Sequence, residues 1–400
     1  MFKGLKFDLK SLASRGKHIK RPLHREMRDY AIRLGFRDLI YLNIGEPDFP
    51  TPKPIVEAGK AAMVEGFTHY TEERGIKPLR EALAEQFKAS RDLEYSPERE
   101  IIVTGGSSEA IFTTIMTLVD QGDEVLIFSP YYPPYLSGVV AAMGKPVLVP
   151  VECESFNPIP EAVLEKVTSK MKLMMVNSPC NPTGAVYGRE ILRALAEIAV
   201  DYDLYVLSDE VYEKFIFEGD KHVSIASFPG MAERTVIVGG FSKTYAMTGW
   251  RIGYVAGPEK IISGILKIKG AGNICASSIS QKAALVALEK GEAYASKMIK
   301  EYDRRRRFIY EALSRVKGFK VSKPRGAFYL FPNISSLEKD SLKFAKFLVE
   351  KAHVVTSPGV GFGEAGEGHL RISYSASMED LKEAVERIRL AVEEAGEESL

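Results

Sequence analysis

The sequence predicts an α/β protein, a mostly parallel sheet between helices, joined to a smaller α+β domain. Three observations predict it. Apolar, strand-like runs alternate with helical patterns between about 100 and 256. Four of these runs end in clusters of polar and glycine residues, as the carboxyl edge of a parallel sheet does where ligands bind. From about 317 the pattern changes to short strands with helices between them.

Taken in order, Glu100-Ile101-Ile102-Val103-Thr104 reads as a strand that runs through Gly105-Gly106-Ser107-Ser108 into a helical pattern. That is the layout of an anion site at a helix start, with backbone N–H groups outward and glycine letting a phosphate approach. It is neither a P-loop nor a full GxGxxG, so a nucleotide is not indicated. Next, Leu173-Met174-Met175-Val176 enters the loop Asn177-Ser178-Pro179-Cys180-Asn181-Pro182-Thr183-Gly184. Asn181 offers both a donor and an acceptor, and the Asn181-Pro182 bond can be cis. Leu204-Tyr205-Val206-Leu207 then leads to Ser208-Asp209-Glu210-Val211-Tyr212, and Thr235-Val236-Ile237-Val238 leads to Lys243 and Arg251. Residues 258–315 are largely helical by periodicity. Phe319-Lys320-Val321, Phe328-Tyr329-Leu330 and Leu370-Arg371-Ile372-Ser373 read as strands. The last helix, 378–395, repeats Leu381, Val385, Ile388 and Val392 at helical spacing.

The clusters carry a chemistry together that none carries alone. A lysine just past a buried strand can be held partly dry, which favours its neutral, nucleophilic form. Lys243 is so placed, and Arg251 follows eight residues on as a fixed cation for a phosphate. The pair points to a covalent link with a phosphate-bearing aldehyde cofactor, pyridoxal phosphate. Asp209 at a strand end can keep the cofactor's ring nitrogen protonated, with Tyr212 and Asn181 near its phenolic oxygen. Each has an ordinary reading too. Lys243 alone is a solvated loop lysine, Ser208 or Asp209 a helix N-cap, and Asn-Pro-x-Gly a turn. Chance explains one such cluster easily and all four together poorly.

On these residues the sequence resembles the class I pyridoxal-phosphate aminotransferases of fold type I, in their prokaryotic and archaeal aspartate/aromatic branch. The matching motifs are Asn43-Ile44-Gly45-Glu46-Pro47-Asp48-Phe49, His69-Tyr70, Gly105-Gly106-Ser107-Ser108, Asn181-Pro182-Thr183-Gly184, Asp209-Glu210-Val211-Tyr212, Ser242-Lys243 through Arg251, and Leu370-Arg371-Ile372-Ser373-Tyr374. They stand in family order across about 40 to 375. The resemblance implies a large domain, 46–280, with a mostly parallel seven-stranded sheet, and a discontinuous small domain of 1–45 and 281–400. It implies Lys243 as the cofactor-linked lysine and proton shuttle, Asp209 as partner of the ring nitrogen, and Tyr212 and Asn181 as ligands of the phenolic oxygen. It implies Gly106, Ser107, Ser108 and Arg251 as phosphate ligands, Tyr132 as the aromatic on the ring face, and Gly45, Asn181 and Arg371 as the substrate carboxylate clamp. Tyr70 resembles a tyrosine that reaches the neighbouring subunit's phosphate, which implies a homodimer with shared active sites.

Two departures stand out. Some members carry Ser three residues before the lysine, where this chain has Gly240, so one phosphate hydroxyl is expected to be missing or replaced by a backbone contact. Some aspartate-specific relatives place a lysine at the position of Ser108 to bind a second carboxylate, so its absence leaves acidic, aromatic and alanine donors all open. The implied reaction is transfer of an amino group from an L-amino acid to 2-oxoglutarate by ping-pong kinetics. A β-lyase or synthase on the same fold, and a non-catalytic cofactor-binding regulator, are the alternatives.

Composition agrees with an enzyme of this kind. At 400 residues, two domains are expected. Lys and Arg number 54 against 53 Asp and Glu, which favours neither nucleic acid nor membrane as partner. Cys153, Cys180 and Cys275 stand at no disulfide or metal spacing, and the six histidines form no ligand cluster in sequence. A cytoplasmic protein without a metal site, signal peptide or membrane span is expected. The basic N-terminal residues Lys3, Lys6, Lys10, Arg15, Lys17, Lys20, Arg21 and Arg25 read as a solvated or dimer-contact arm, and Arg304-Arg305-Arg306-Arg307 as a solvated helix face.

Overall fold

The computed structural model describes residues 13, 15–19 and 21–398; Lys3, Lys6, Lys10 and Lys20 of the basic arm lie outside the described residues. A seven-stranded sheet forms the centre, from β1 (Ile101–Thr104), β2 (Glu124–Ser129), β3 (Lys145–Pro150), β4 (Met171–Asn177), β5 (Tyr205–Asp209), β6 (Thr235–Gly240) and β7 (Gly253–Ala256). Its spatial order is β1-β7-β6-β5-β4-β2-β3. The pairs β6–β5, β5–β4, β4–β2 and β2–β3 are parallel, while β7 runs antiparallel to both β1 and β6. This is the α/β architecture expected.

The sheet is apolar on both faces because helices cover both. Along β2, Leu126 and Phe128 join one core with Met174 and Val176 of β4. The alternate residues Val125 and Ile127 join the opposite core with Leu173 and Met175. The period of two thus buries every residue of β2, which is why the run shows no polar alternation.

A further core, away from the large sheet, draws on both ends of the described chain. Met27, Ala31, Ile40 and Leu42 pack with residues from Met298 to Val392. Ile40–Tyr41 pairs in parallel with Val354–Val355, and Ser357–Pro358, Leu370–Ser373 and Tyr329–Leu330 form a small antiparallel sheet. The Leu42 carbonyl accepts from Ser373 N–H at 2.7 Å, which holds the segment leading to Gly45 beside the strand that carries Arg371.

Two sequence expectations need correction. Phe319-Lys320-Val321 forms no strand: only an isolated bridge joins Lys320 to Asn333. The arginine run is not a solvated face. Arg306 is fully buried and Arg305 nearly so, on helix Glu292–Leu313. Arg306 donates to the Pro324 carbonyl at 2.9 Å and pairs with Asp303 and Glu218, while Arg305 pairs with Asp48 at 2.8 Å. Asp303 on the same helix, with Asp48, Glu218 and the Pro324 carbonyl from other segments, compensates burial of these two charges. Arg304 and Arg307 do remain exposed.

Candidate active site

The carboxyl ends of four strands converge. β4 and β5 lie in register with Asn177 opposite Asp209. The Asn177 side chain donates to the Asp209 carbonyl at 3.1 Å and accepts from Asn181 N–H at 2.9 Å, so one amide fixes both loops. Beyond β1, Gly106 takes φ 96° and starts helix Ser107–Leu118. Beyond β6, the chain turns through Ser242 and Lys243 to a short helical turn, Thr248–Trp250, capped by Arg251 at φ 51°. The Arg251 guanidinium lies across the glycine loop, bonded to the carbonyls of Thr248 and Gly105 at 3.0 and 3.4 Å. A Cβ on Gly106 would meet Arg251 Nη2 at 2.6 Å, which explains the glycine.

These ends surround a cavity of about 630 Å³. Gly45, Ser107, Ser108, Tyr132, Asn181, Asp209, Tyr212, Lys243, Arg251 and Arg371 all line it. Gly106 stands just behind, against Arg251. Tyr70 does not join them: it is 79% exposed and outside the cavity lining of its own chain.

The charged groups are held by distinct means. The Lys243 ammonium donates to the Gly45 carbonyl at 2.6 Å. Burial first, opposed by Glu46 and reinforced by Arg371 and Arg251, lowers it to about 8. Asp209 is buried, and burial pushes its carboxyl up to about 6 although the Tyr135 hydroxyl donates to it at 2.6 Å. No helix begins directly after β5, so Asp209 is not a helix N-cap: it ends a strand at a turn, where its Oδ1 accepts from Val211 N–H at 3.3 Å. Arg371 is clamped between the rings of Tyr329 and Phe362, at 4.6 and 4.8 Å. It donates to the Asn43 carbonyl at 2.7 Å and to Asn181 Oδ1 at 3.0 Å, yet its buried Nε has no partner among the described residues.

Sequence reasoning missed Tyr135, Tyr329 and Asn177. Tyr135 holds the Asp209 carboxylate. Tyr329 exchanges a hydrogen bond with Tyr212 at 2.6 Å, and a Cβ on Gly45 would land on its hydroxyl. The one available signal was the nearness of Tyr135, in the first turn of helix Pro134–Ala141, to Tyr132 just ahead of that helix.

The fold also joins His222 to Glu210 and Glu213, a set of three potential metal ligands that sequence spacing did not show. Arg91 fills that cluster, pairing with Glu210 at 3.0 Å and with Glu213. Burial alone would raise the Glu210 carboxyl; His222, Arg91 and Ser224 outweigh it and hold it at about 2.

With this geometry in view, residues 37–388 match the family described as aminotransferase class I and II. The chain belongs to the class I and II aminotransferases. This aminotransferase is 42% identical to an aspartate aminotransferase of Pyrococcus horikoshii, over 96% of this chain and 97% of that protein. It is also 42% identical to an aromatic-amino-acid aminotransferase of Thermococcus litoralis, over 90% and 93% of the two chains. Among solved structures, the aspartate aminotransferase of Thermus thermophilus with maleate superposes with a TM-score of 0.91 at 39% identity, covering 96% of this chain and all of that one. No helix among the described residues is long and apolar enough to cross a membrane.

Proposed function

We propose that this aminotransferase binds pyridoxal phosphate in the cavity and moves an amino group from an L-amino acid, aspartate or an aromatic one, to 2-oxoglutarate by ping-pong turnover. The observation that carries this reading is the convergence of Lys243, Asp209, Arg251 and Arg371 on one cavity. One feature fits the cofactor, a buried carboxyl, Asp209, whose charge is costly without a cationic partner, and one fits the substrate carboxylate, the buried Arg371 Nε lacking an acceptor among the described residues. The names of the relatives support both donor classes.

The bound cofactor would supply an electron sink beside the substrate's α-carbon. Asp209, steadied by Tyr135, holds the proton on the ring nitrogen. Lys243 Nζ takes the proton from the α-carbon and returns it, a task suited to an amine brought down to about 8. Tyr212 and Asn181 would hold the phenolic oxygen, Tyr132 the ring, and Gly106, Ser107, Ser108 and Arg251 the phosphate. Gly45, Asn181 and Arg371 hold the α-carboxylate, which sets the C–H bond rather than the carboxylate bond in line for cleavage.

Two wider readings accompany this one. The described residues ahead of Gly45 join the C-terminal part in a small domain; the expected boundary at 280 cuts helix Ser278–Lys290, which goes with the large domain, because Ala283, Ala284 and Ala287 share a core with Ile101 and Ile237. The enzyme works as a cytoplasmic homodimer in which Tyr70 serves the partner's phosphate; the three free cysteines fit a reducing compartment.

A spectral titration tests the proposal. Adding an amino donor should shift the cofactor's visible absorbance, and adding an oxo acid should restore it. In Lys243→Ala the covalent signature should vanish and turnover fall by about three or more powers of ten. Near-normal transamination by that variant would sink the assignment.

A further inference from the structure

The cavity holds more positive charge than the groups assigned to it require. Its lining includes five fixed or titratable cations, Arg25, Arg28, Lys243, Arg251 and Arg371, against two carboxylates, Glu46 and Asp209. On the reading above, Arg251 faces the phosphate, Arg371 the α-carboxylate, and Asp209 the ring nitrogen. Glu46 is bonded to the Thr248 hydroxyl. Arg25 and Arg28 are left over.

Both lie on helix Leu23–Leu34, three residues apart and so on one face. Both are exposed, and neither is paired with a carboxylate among the described residues. Of the two acidic residues on that helix, Glu26 forms no ion pair with either arginine among the described residues, and Asp29 is engaged by Arg21 at 2.7 Å. Between this pair and Arg371 stands His24, whose carbonyl accepts from Asn43 at 2.9 Å, while the Asn43 carbonyl in turn accepts from Arg371. Burial first, then Arg371 and Arg25, lowers His24 to about 4, so its ring is neutral at neutral pH and adds no charge. The helix thus sets two unpaired cations on the same cavity as Arg371, joined to it through the His24–Asn43 bonds. Ser108, by contrast, brings no cation to the phosphate side of the cavity.

We propose that Arg25 and Arg28 form a subsite for a second, distal anionic group on the substrate, so that the preferred donors and acceptors carry a side-chain carboxylate or phosphate. This deepens the substrate assignment and rests on the reading of the cavity as the aminotransferase site. Both arginines are exposed, so their removal leaves the fold intact. Each exposed cation contributes modestly, and the two act together.

The test compares donors at fixed ionic strength in the cofactor-loaded enzyme. Aspartate, glutamate and O-phosphoserine are set against alanine and phenylalanine, in wild type, Arg25→Ala/Arg28→Ala and Arg28→Lys. Maleate, a four-carbon dicarboxylate, and butyrate, a four-carbon monocarboxylate, are titrated by calorimetry as ligands that cannot react. In the double variant, the preference for acidic over neutral donors should fall about tenfold through KM, with kcat little changed. Maleate affinity should fall by a similar factor relative to butyrate, and Arg28→Lys should keep most of both. A larger loss for O-phosphoserine than for aspartate marks the subsite as tuned to phosphate, and the reverse marks it for carboxylate. Equal changes for acidic and neutral donors, or undiminished maleate binding, would overturn the subsite. A wild-type enzyme that transaminated no donor would overturn the cavity assignment instead, and maleate binding would still decide the subsite.

Discussion

Asp209 illustrates how one buried charge couples stability to function. Its carboxyl ordinarily titrates near 3.8 and here near 6, with burial as the leading cause. The cofactor-free folded chain therefore binds more protons than the unfolded chain between about pH 4 and 6. Stability from this group is full below about 4 and is lost as pH rises through about 6, by roughly 3 kcal/mol at ~1.4 kcal/mol per unit. Asp209→Asn does not titrate, and its amide can still meet the Tyr135 hydroxyl. The cofactor-free variant should be more stable than wild type above about pH 6, and the difference should shrink toward pH 4. Its α-proton removal, measured in single turnover, should be far slower. A stability difference that stays constant across pH would refute the burial argument, and unchanged proton removal would reduce Asp209 to a structural group. Tyr135→Phe makes a milder case. Loss of its hydrogen bond should raise the Asp209 carboxyl further and weaken cofactor binding by about 1 kcal/mol, read by titrating cofactor into the apo protein.

Paired strand glycines show how far the site was legible at the scale of elements. Gly240 and Gly253 face each other across β6 and β7. A Cβ on Gly240 finds nothing closer than 3.5 Å, whereas one on Gly253 would meet Ser107 N at 2.7 Å and the Gly106 carbonyl carbon at 2.8 Å. The site loop rests directly on Gly253. Gly253→Ala should cost about 1–3 kcal/mol and loosen the phosphate loop, while Gly240→Ser should fold with a loss below ~0.5 kcal/mol and bind cofactor at least as tightly. Thermal unfolding and cofactor titration decide it; equal damage from both changes would count against the packing argument. The sequence showed Gly240 as a departure but could not show its neighbour's role, because that depends on which strand lies beside it. The motif residues around Gly106, Asn181, Asp209 and Lys243 were legible for the opposite reason: each stands at or just past the end of its own strand, and parallel strands bring those ends together. Tyr135 and Tyr329 act on partners 74 and 117 residues away, through contacts no local spacing encodes. Arg305 and Arg306 were misread likewise, since Asp48 and Glu218 come from elsewhere in the chain.

For the whole molecule, the residue to test is Tyr70, which stands outside its own chain's cavity lining. Tyr70 is 79% exposed, yet its surroundings are built. Gln281 donates to Thr71 Oγ1 at 3.0 Å, and Ser278 to the Phe67 carbonyl at 2.9 Å. The buried Lys269 ammonium bonds the carbonyls of Glu73, Asn273 and Ile274 at 3.2, 3.1 and 3.3 Å, tying the segment after Tyr70 to the loop that presents Ile274. A tyrosine so firmly presented outward suits delivery to a second copy. If Tyr70 completes the partner's phosphate site, Tyr70→Ala and Lys243→Ala should complement. In a mixed dimer one site carries both lesions; the other takes its tyrosine from one chain and its lysine from the other, and is intact. Losing a phosphate ligand costs roughly 1–3 kcal/mol, so the Tyr70 defect is best seen at low cofactor concentration. Dissociating and reassociating an equal mixture should then recover about a quarter of wild-type sites, because half the dimers are mixed and each has one good site. No recovery in dimers confirmed as mixed would place Tyr70 outside the partner's site.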